Sequence, residues 1–286
     1  MDKTKIFYKL KGELKMITTI PTQATLTEIA KFKSGVAKST APMRHFINTS
    51  LSNATIDVFN AAVQTAYNDA ARTFTGIGGK SNEAKKVLAE KIKKYFDNKM
   101  PCVTKDDFNE LHSTLCEAFI DQLVEDGYNS ATYGQAQKVV NMTFKYLYCL
   151  PDATTKYNEY FEYCHVALDS FTLEWIWRNC DPKSRNLNKY EAWSNINKDD
   201  YYAGKTKRPG YDSIVELYRD KIPSSLHTDC TPFQAEFIFW PEIQMHLATE
   251  AFYFALNDSL SNTEKENFKK KDLNSKKAEI RNHPNF

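Results

Sequence analysis

The sequence predicts an all-α fold. Over most of the chain apolar residues recur at three- and four-residue intervals, the period of a helix with one buried face, and no convincing stretch alternates apolar and polar residues as a half-buried strand would. The length of 286 residues, 42% of them hydrophobic, supplies enough apolar surface for a large core. One compact unit or two interlocked helical subdomains is the expected organisation.

The elements follow in order. Residues 25–32 read as a short helix. Residues 54–74 read as a long one, with Ile56, Phe59, Val63, Tyr67 and Ala70 on one stripe. Gly76, Gly78 and Gly79 then form a connector ending in Lys80; the loop lacks the spacing of a phosphate-binding loop, so glycine's turn role explains it. A third helix over residues 81–96 has Ser81 as its expected cap and Glu83 in its first turn. Residues 106–123 carry Phe108, Leu111, Leu115, Phe119 and Leu123 at helical spacing. Next comes a helix headed by Lys138, with Val139, Val140, Met142, Phe144, Leu147 and Leu150 as its apolar run. The short apolar stretch His165-Val166-Ala167-Leu168 leads to Asp169, which opens another helix as its cap. Residues 179–207 are polar and aromatic and read as an excursion with a short helical piece near Trp193. A last apolar and aromatic block spans residues 233–256.

Charge and cysteine content bound the function less tightly. A net charge of +2 is weak for a nucleic-acid binder, although a folded chain can gather its lysines on one face. The strongest basic run, residues 265–277 around Lys269-Lys270-Lys271, reads as a solvated helix face or a phosphate-touching tail. Arg185, Lys205, Lys207 and Arg208 are further candidates for phosphate contact. No stretch approaches a membrane span, and the opening residues lack the apolar core of a signal peptide, so an intracellular setting, cytoplasm or nucleoid, and reduced thiols are expected. The six cysteines form no CxxC pair and no metal-ligand spacing with histidine, so neither a metal nor any other cofactor is expected.

Lys138 and Asp169 together are the best indication of chemistry. Each has an ordinary explanation, a solvated helical charge for the lysine and an N-terminal cap for the aspartate. A carboxylate at a helix start is favoured as an anion by the helix dipole, and the same field opposes a cation early in the lysine's helix. Lys145 returns to nearly the same helical face and is the rival amine. Asp152 and Asp181 are rival carboxylates, each beside proline, where turn formation explains an aspartate.

These residues resemble the helix-hairpin-helix superfamily of base-excision DNA glycosylases. In that family a glycine-bearing hairpin leads to a helix with an early nucleophilic lysine, and a short apolar stretch downstream ends in a catalytic aspartate that caps the next helix. Gly134 with Lys138, and Val166-Ala167-Leu168-Asp169-Ser170, match these parts over about a sixth of the chain. The hairpin here keeps one glycine, valine follows the lysine, and the lysine-to-aspartate interval is long, a feature of the archaeal 8-oxoguanine glycosylase branch.

The resemblance implies two interlocked helical subdomains with the active site between them. The glycosylase-like domain would span residues 24–261, with its hairpin and catalytic segment at 128–180, between an N-terminal extension (1–23) and a basic C-terminal segment (262–286). Lys138 would attack the sugar and form a Schiff base that permits strand cleavage, and Asp169 would stabilise the developing positive charge. Gly134, Gln135 and Gln137 would contact DNA through the hairpin, and Met142, Ala167, Glu236 and Trp240 would line the base pocket. The implied partner is double-stranded DNA with a flipped base, bound by a monomer, with no membrane involved. The implied activity is excision of an oxidised or otherwise modified base, 8-oxoguanine first. Excision of a modified base from viral DNA, or a non-catalytic DNA-binding or interaction module with the same fold, are the alternatives.

Overall fold

A computed structural model of the chain describes residues 7–10, 13–16, 23–39, 41–98, 100–181, 191–226 and 230–259. The described residues are mostly helical, in nine α-helices: α1 (Gln23–Ser39), α2 (Ala41–Arg44), α3 (Ile56–Ala70), α4 (Ser81–Asp97), α5 (Lys105–Glu125), α6 (Tyr133–Tyr148), α7 (Ser170–Asn179), α8 (Tyr211–Leu226) and α9 (Pro232–Ser259). None is long and apolar enough to cross a membrane. The chain divides into two compact units, Met1–Ile238 and Phe239–Phe286. The division falls inside α9, close to Pro241, whose missing N–H interrupts the helical ladder. The basic residues 262–286, including the run 265–277, lie outside the described residues.

Helix α6 is the axis of the first unit, with α3 and α5 packed along it. Every residue from Gly134 to Tyr148 is buried. A helix buried on all sides belongs at the centre of a core rather than on its surface. Around it Phe144 meets Tyr95, Phe96, Phe108 and Phe161, with ring centroids 5.5–6.4 Å apart. Each such buried aromatic contributes on the order of 2–3 kcal/mol of transfer free energy.

Helix starts are defined by side-chain caps. Thr104 and Asp107 form a reciprocal capping box on α5, and Thr132 and Gln135 form one on α6. The serine cap expected for α4 is corrected: Ser81 is already the first helical residue, and Lys80 occupies the cap position without a side-chain hydrogen bond. Glu83 is in the first turn, as its sequence position indicates. Helix α1 is longer than expected. Helix α3 ends sooner, passing into a 3₁₀ turn over Ala71–Thr73, where the Gln135 amide donates to the Thr73 carbonyl at 2.7 Å.

Two antiparallel ribbons depart from a purely helical reading. They are β1 (Phe7–Leu10) with β2 (Glu13–Met16), and β3 (Tyr201–Ala203) with β4 (Thr206–Arg208). Strands of three or four residues are too short for alternation to stand out in a sequence. The turn between β3 and β4 has only two residues, and Gly204 takes φ 64°, the left-handed conformation such tight loops require.

A buried lysine–aspartate pair as candidate active site

Lys138 is the sixth residue of α6, in its second turn, and Asp169 is the extended residue that caps α7. The Lys138 ammonium donates to Asp169 Oδ2 at 2.7 Å, and the Thr172 backbone N–H donates to Asp169 Oδ1 at 2.9 Å. The two side chains retain only 7% and 11% of their exposure. Withdrawn from water, such a pair is strongly coupled, and removing either partner leaves an uncompensated charge at a cost of about 3–5 kcal/mol.

The approach to Asp169 is an extended segment without a sheet, so its peptide groups need other partners. Side chains of α6 and α9 supply them. Asn141 Nδ2 donates to the Val166 carbonyl at 3.1 Å. Glu236 Oε2 accepts from the Ala167 N–H at 3.1 Å. Gln137 donates through Nε2 to the Leu168 carbonyl at 2.9 Å and accepts the Leu168 N–H on Oε1 at 3.2 Å. Register between the lysine helix and the aspartate is thus set by hydrogen bonds to consecutive peptide groups.

Lys145, the rival amine, is paired with Glu236 at 2.7 Å, and their side chains keep 4% and 1% of their exposure. Its ammonium also lies 4.9 Å from the centre of the Phe32 ring and 5.0 Å from that of Phe237. The expectation that Glu236 lines a base pocket is therefore corrected: one carboxylate oxygen holds Lys145 and the other holds the Ala167 peptide. Ala167 is itself fully buried, and Met142 is buried one turn beyond Lys138. Trp240 is half-buried and belongs to the second unit.

The hairpin expectation for Gly134, Gln135 and Gln137 is corrected as well. All three lie within α6 and are buried. The Gly134 N–H donates to the Ile196 carbonyl at 2.9 Å, and a Cβ on Gly134 would stand 2.0 Å from the Trp193 carbonyl oxygen. Glycine is required here by the close approach of residues 193–196, which the Thr132 hydroxyl also binds through the Ser194 carbonyl. Gln135 is engaged by Thr73 and Thr132, and Gln137 by Leu168 and Gly134. None of the three offers an uncommitted amide to a phosphate.

Other candidates have structural work. Asp152 caps the 3₁₀ turn Leu51–Asn53: burial alone would raise its pKa, but hydrogen bonds from Ser50, Leu51 and Ser52 outweigh that and hold it low. The Asp181 N–H donates to the Ile176 carbonyl at the end of α7. Lys80 donates to the Gly127 carbonyl at 2.9 Å, tying the glycine loop to the turn after α5. Lys205 and Lys207 are exposed on the β3–β4 ribbon, and Arg208 is half-buried. Lys207 pairs with Asp200 at 2.9 Å and Arg208 with Glu191 at 3.5 Å. Arg185 lies outside the described residues.

Sequence reasoning missed two features. Asp69, near the end of α3, accepts from the Tyr146 hydroxyl at 2.6 Å. Its side chain is exposed, yet enough protein surrounds the carboxyl for desolvation to raise its pKa against the opposing effects of Tyr146, Lys138 and Lys145. Asp69 therefore stands within the electrostatic field of the candidate pair, and nothing local in α3 marks it. The second feature is a buried polar network. Asn109 Oδ1 accepts from Arg219 and lies 2.9 Å from His165 Nε2, so that nitrogen must carry a proton. Burial pushes the His165 pKa well down, leaving Nδ1 to accept from the Tyr211 hydroxyl at 2.9 Å. The Tyr211 oxygen accepts in turn from Asn141 Nδ2 at 2.8 Å. Gln137 and Asn141, two amides four residues apart on α6, were the sequence signal for this arrangement.

Comparison of the chain with protein-family models, with curated proteins and with solved structures finds no match.

Proposed function

We propose that the chain is a helix-hairpin-helix DNA glycosylase with lyase activity that excises an oxidised or otherwise modified base, 8-oxoguanine being the first substrate to test. The observation that carries this reading is the 2.7 Å approach of Lys138 to Asp169 in a water-poor setting. The succession of α5, a short turn segment and α6 with its lysine also supports it. In the mechanism, a base flipped from the duplex brings C1′ of its sugar to the pair. Positive charge develops on the sugar as the glycosidic bond lengthens, and the Asp169 carboxylate stabilises it electrostatically. Lys138 gives its ammonium proton to solvent as the flipped nucleotide enters, and the free amine forms the new bond to C1′, releasing a further proton to solvent as the C1′–N bond is made. The glycosidic electron pair leaves with the base, which takes up a proton from solvent. Opening of the sugar ring gives the Schiff base, from which elimination of the 3′ phosphate cleaves the strand.

The closing of the Gly134 amide on Ile196 rather than on an open phosphate site favours a second reading, a non-catalytic helical module in which the ion pair serves stability alone. Borohydride trapping separates the two. Purified protein is incubated with duplexes carrying 8-oxoguanine, an abasic site or only normal bases. A covalent adduct on the 8-oxoguanine duplex, lost in Lys138→Gln, is the outcome expected of the glycosylase/lyase. An adduct on the abasic duplex alone would keep the lyase and reject 8-oxoguanine as substrate. Absence of any adduct, together with no base release, would favour the non-catalytic module.

A further inference from the structure

Gln137 directly precedes Lys138 on α6, and its side chain grips both the N–H and the C=O of Leu168, the residue directly before Asp169. The arrangement copies one rung of a β-ladder, with a side-chain amide taking the place of the neighbouring strand. Gln137 is fully buried. Its Nε2 also donates to the Gly134 carbonyl at 2.9 Å, and its Oε1 lies 3.1 Å from Asn141 Nδ2, whose two hydrogens serve three neighbouring acceptors. The Leu168 peptide fixes the flip of the amide, because exchanging oxygen and nitrogen would set N–H against N–H and oxygen against oxygen there.

We propose that Gln137 is the positioning residue of the candidate site, an amide clamp that sets where the Asp169 carboxylate stands relative to the Lys138 amine. This rests on the glycosylase reading for its catalytic consequence, but the clamp itself is independent of it. A helix buried on all sides has no need of a glutamine in its second turn, and packing alone would accept methionine of similar size. What methionine cannot supply is the paired donor and acceptor that hold the peptide at Leu168 in one register. The Thr172 N–H holds one Asp169 oxygen and Lys138 the other, and the clamp at Leu168 ties the residue directly before Asp169 to α6. Reactions between held groups are sensitive to this placement: an ångström of displacement costs on the order of a hundredfold in rate.

The test uses Gln137→Met, with Gln137→Glu as a second variant of nearly identical shape that keeps an acceptor for the Leu168 N–H but loses the donor to its carbonyl. Three quantities are measured on the full chain: affinity for an abasic duplex, the single-turnover rate of borohydride-trappable adduct formation, and the rate at which an amine-directed reagent labels Lys138, read by peptide mass spectrometry. The expected result is DNA affinity within about twofold of wild type, adduct formation slowed roughly 10- to 100-fold, and faster Lys138 labelling as its partner is displaced. A slowed rate with weakened DNA binding in proportion would mean a general structural role and would overturn the proposal, as would unchanged adduct formation and labelling in both variants. If wild type forms no adduct on any duplex while labelling of Lys138 still accelerates in the variants, the glycosylase reading fails and the clamp stands. Should Gln137→Met not fold, Gln137→Glu carries the same three readouts.

Discussion

Lys138 and Asp169 are 31 residues apart in the chain and 2.7 Å apart in space. Seven residues further along α6 the same motif recurs, Lys145 with Glu236 at 2.7 Å. The pairs differ in their surroundings. Lys145 is flanked by the Phe32 and Phe237 rings and its pair keeps 4% and 1% of its exposure, whereas Lys138 and Asp169 keep 7% and 11%.

Replacing Lys138 by glutamine is expected to abolish borohydride trapping while DNA affinity stays within a fewfold of wild type, measured by fluorescence anisotropy. Persistence of the adduct would move the nucleophile to another lysine.

Asp169→Asn keeps the size of the side chain and an oxygen for the Thr172 N–H, but removes the charge. Base release should slow by about 10²–10³-fold, the scale of losing one preorganised electrostatic contact to a transition state. Single-turnover product formation is the measurement, and a rate equal to wild type would leave Asp169 as a helix cap only.

Lys145→Met should cost about 3–5 kcal/mol in urea-induced unfolding, since Glu236 would be left charged without its cation. The double variant Lys145→Met with Glu236→Leu should recover much of that loss, because a buried ion pair and an apolar pair of similar volume are often comparable in stability. A double variant as unstable as the sum of the two single changes would deny the pairing.

Gly134→Ala places a methyl group against the Trp193 carbonyl. Either the chain over residues 193–196 retreats or α6 frays at its first turn, at a cost of about 1–3 kcal/mol or more. The thermal midpoint should fall by several degrees, and a value unchanged from wild type would contradict the close approach.

The buried histidines set a dependence on pH. Burial lowers the His112 pKa to about 3 and takes that of His165 well below its ordinary value, so both are neutral in the folded chain. Unfolded, they take up protons near pH 6.5. Below that value the unfolded state binds more protons, so stability is full above about pH 6.5 and is lost as pH falls toward the folded pKa, by up to ~1.4 kcal/mol per pH unit for each histidine. Urea midpoints at pH 7.5, 6.5 and 5.5, above the carboxylate range, are the check. His112→Gln should flatten the decline, and a midpoint that rises on acidification would refute the neutral network.

The mostly helical class, the approximate extents of α3 to α5 and the identity of Asp169 as a cap were legible in the sequence because each rests on local rules, an apolar period or a side chain within reach of the next turn's amides. Ser81 shows the limit even there: a serine at a helix start was readable, its exact position relative to the first turn was not. Everything that depends on what faces a residue from a distant part of the chain was decided by tertiary structure. Gly134 offers an open amide in sequence and a closed one once residues 193–196 lie across it. Glu236 is a pocket candidate until Lys145 and the Ala167 peptide occupy its two oxygens. Asp69 acquires its bond from Tyr146 and its electrostatic coupling to Lys138 and Lys145 only through the packing of α3 on α6. A polar group's role follows from which partner satisfies it when water is removed, and that partner is set by the fold.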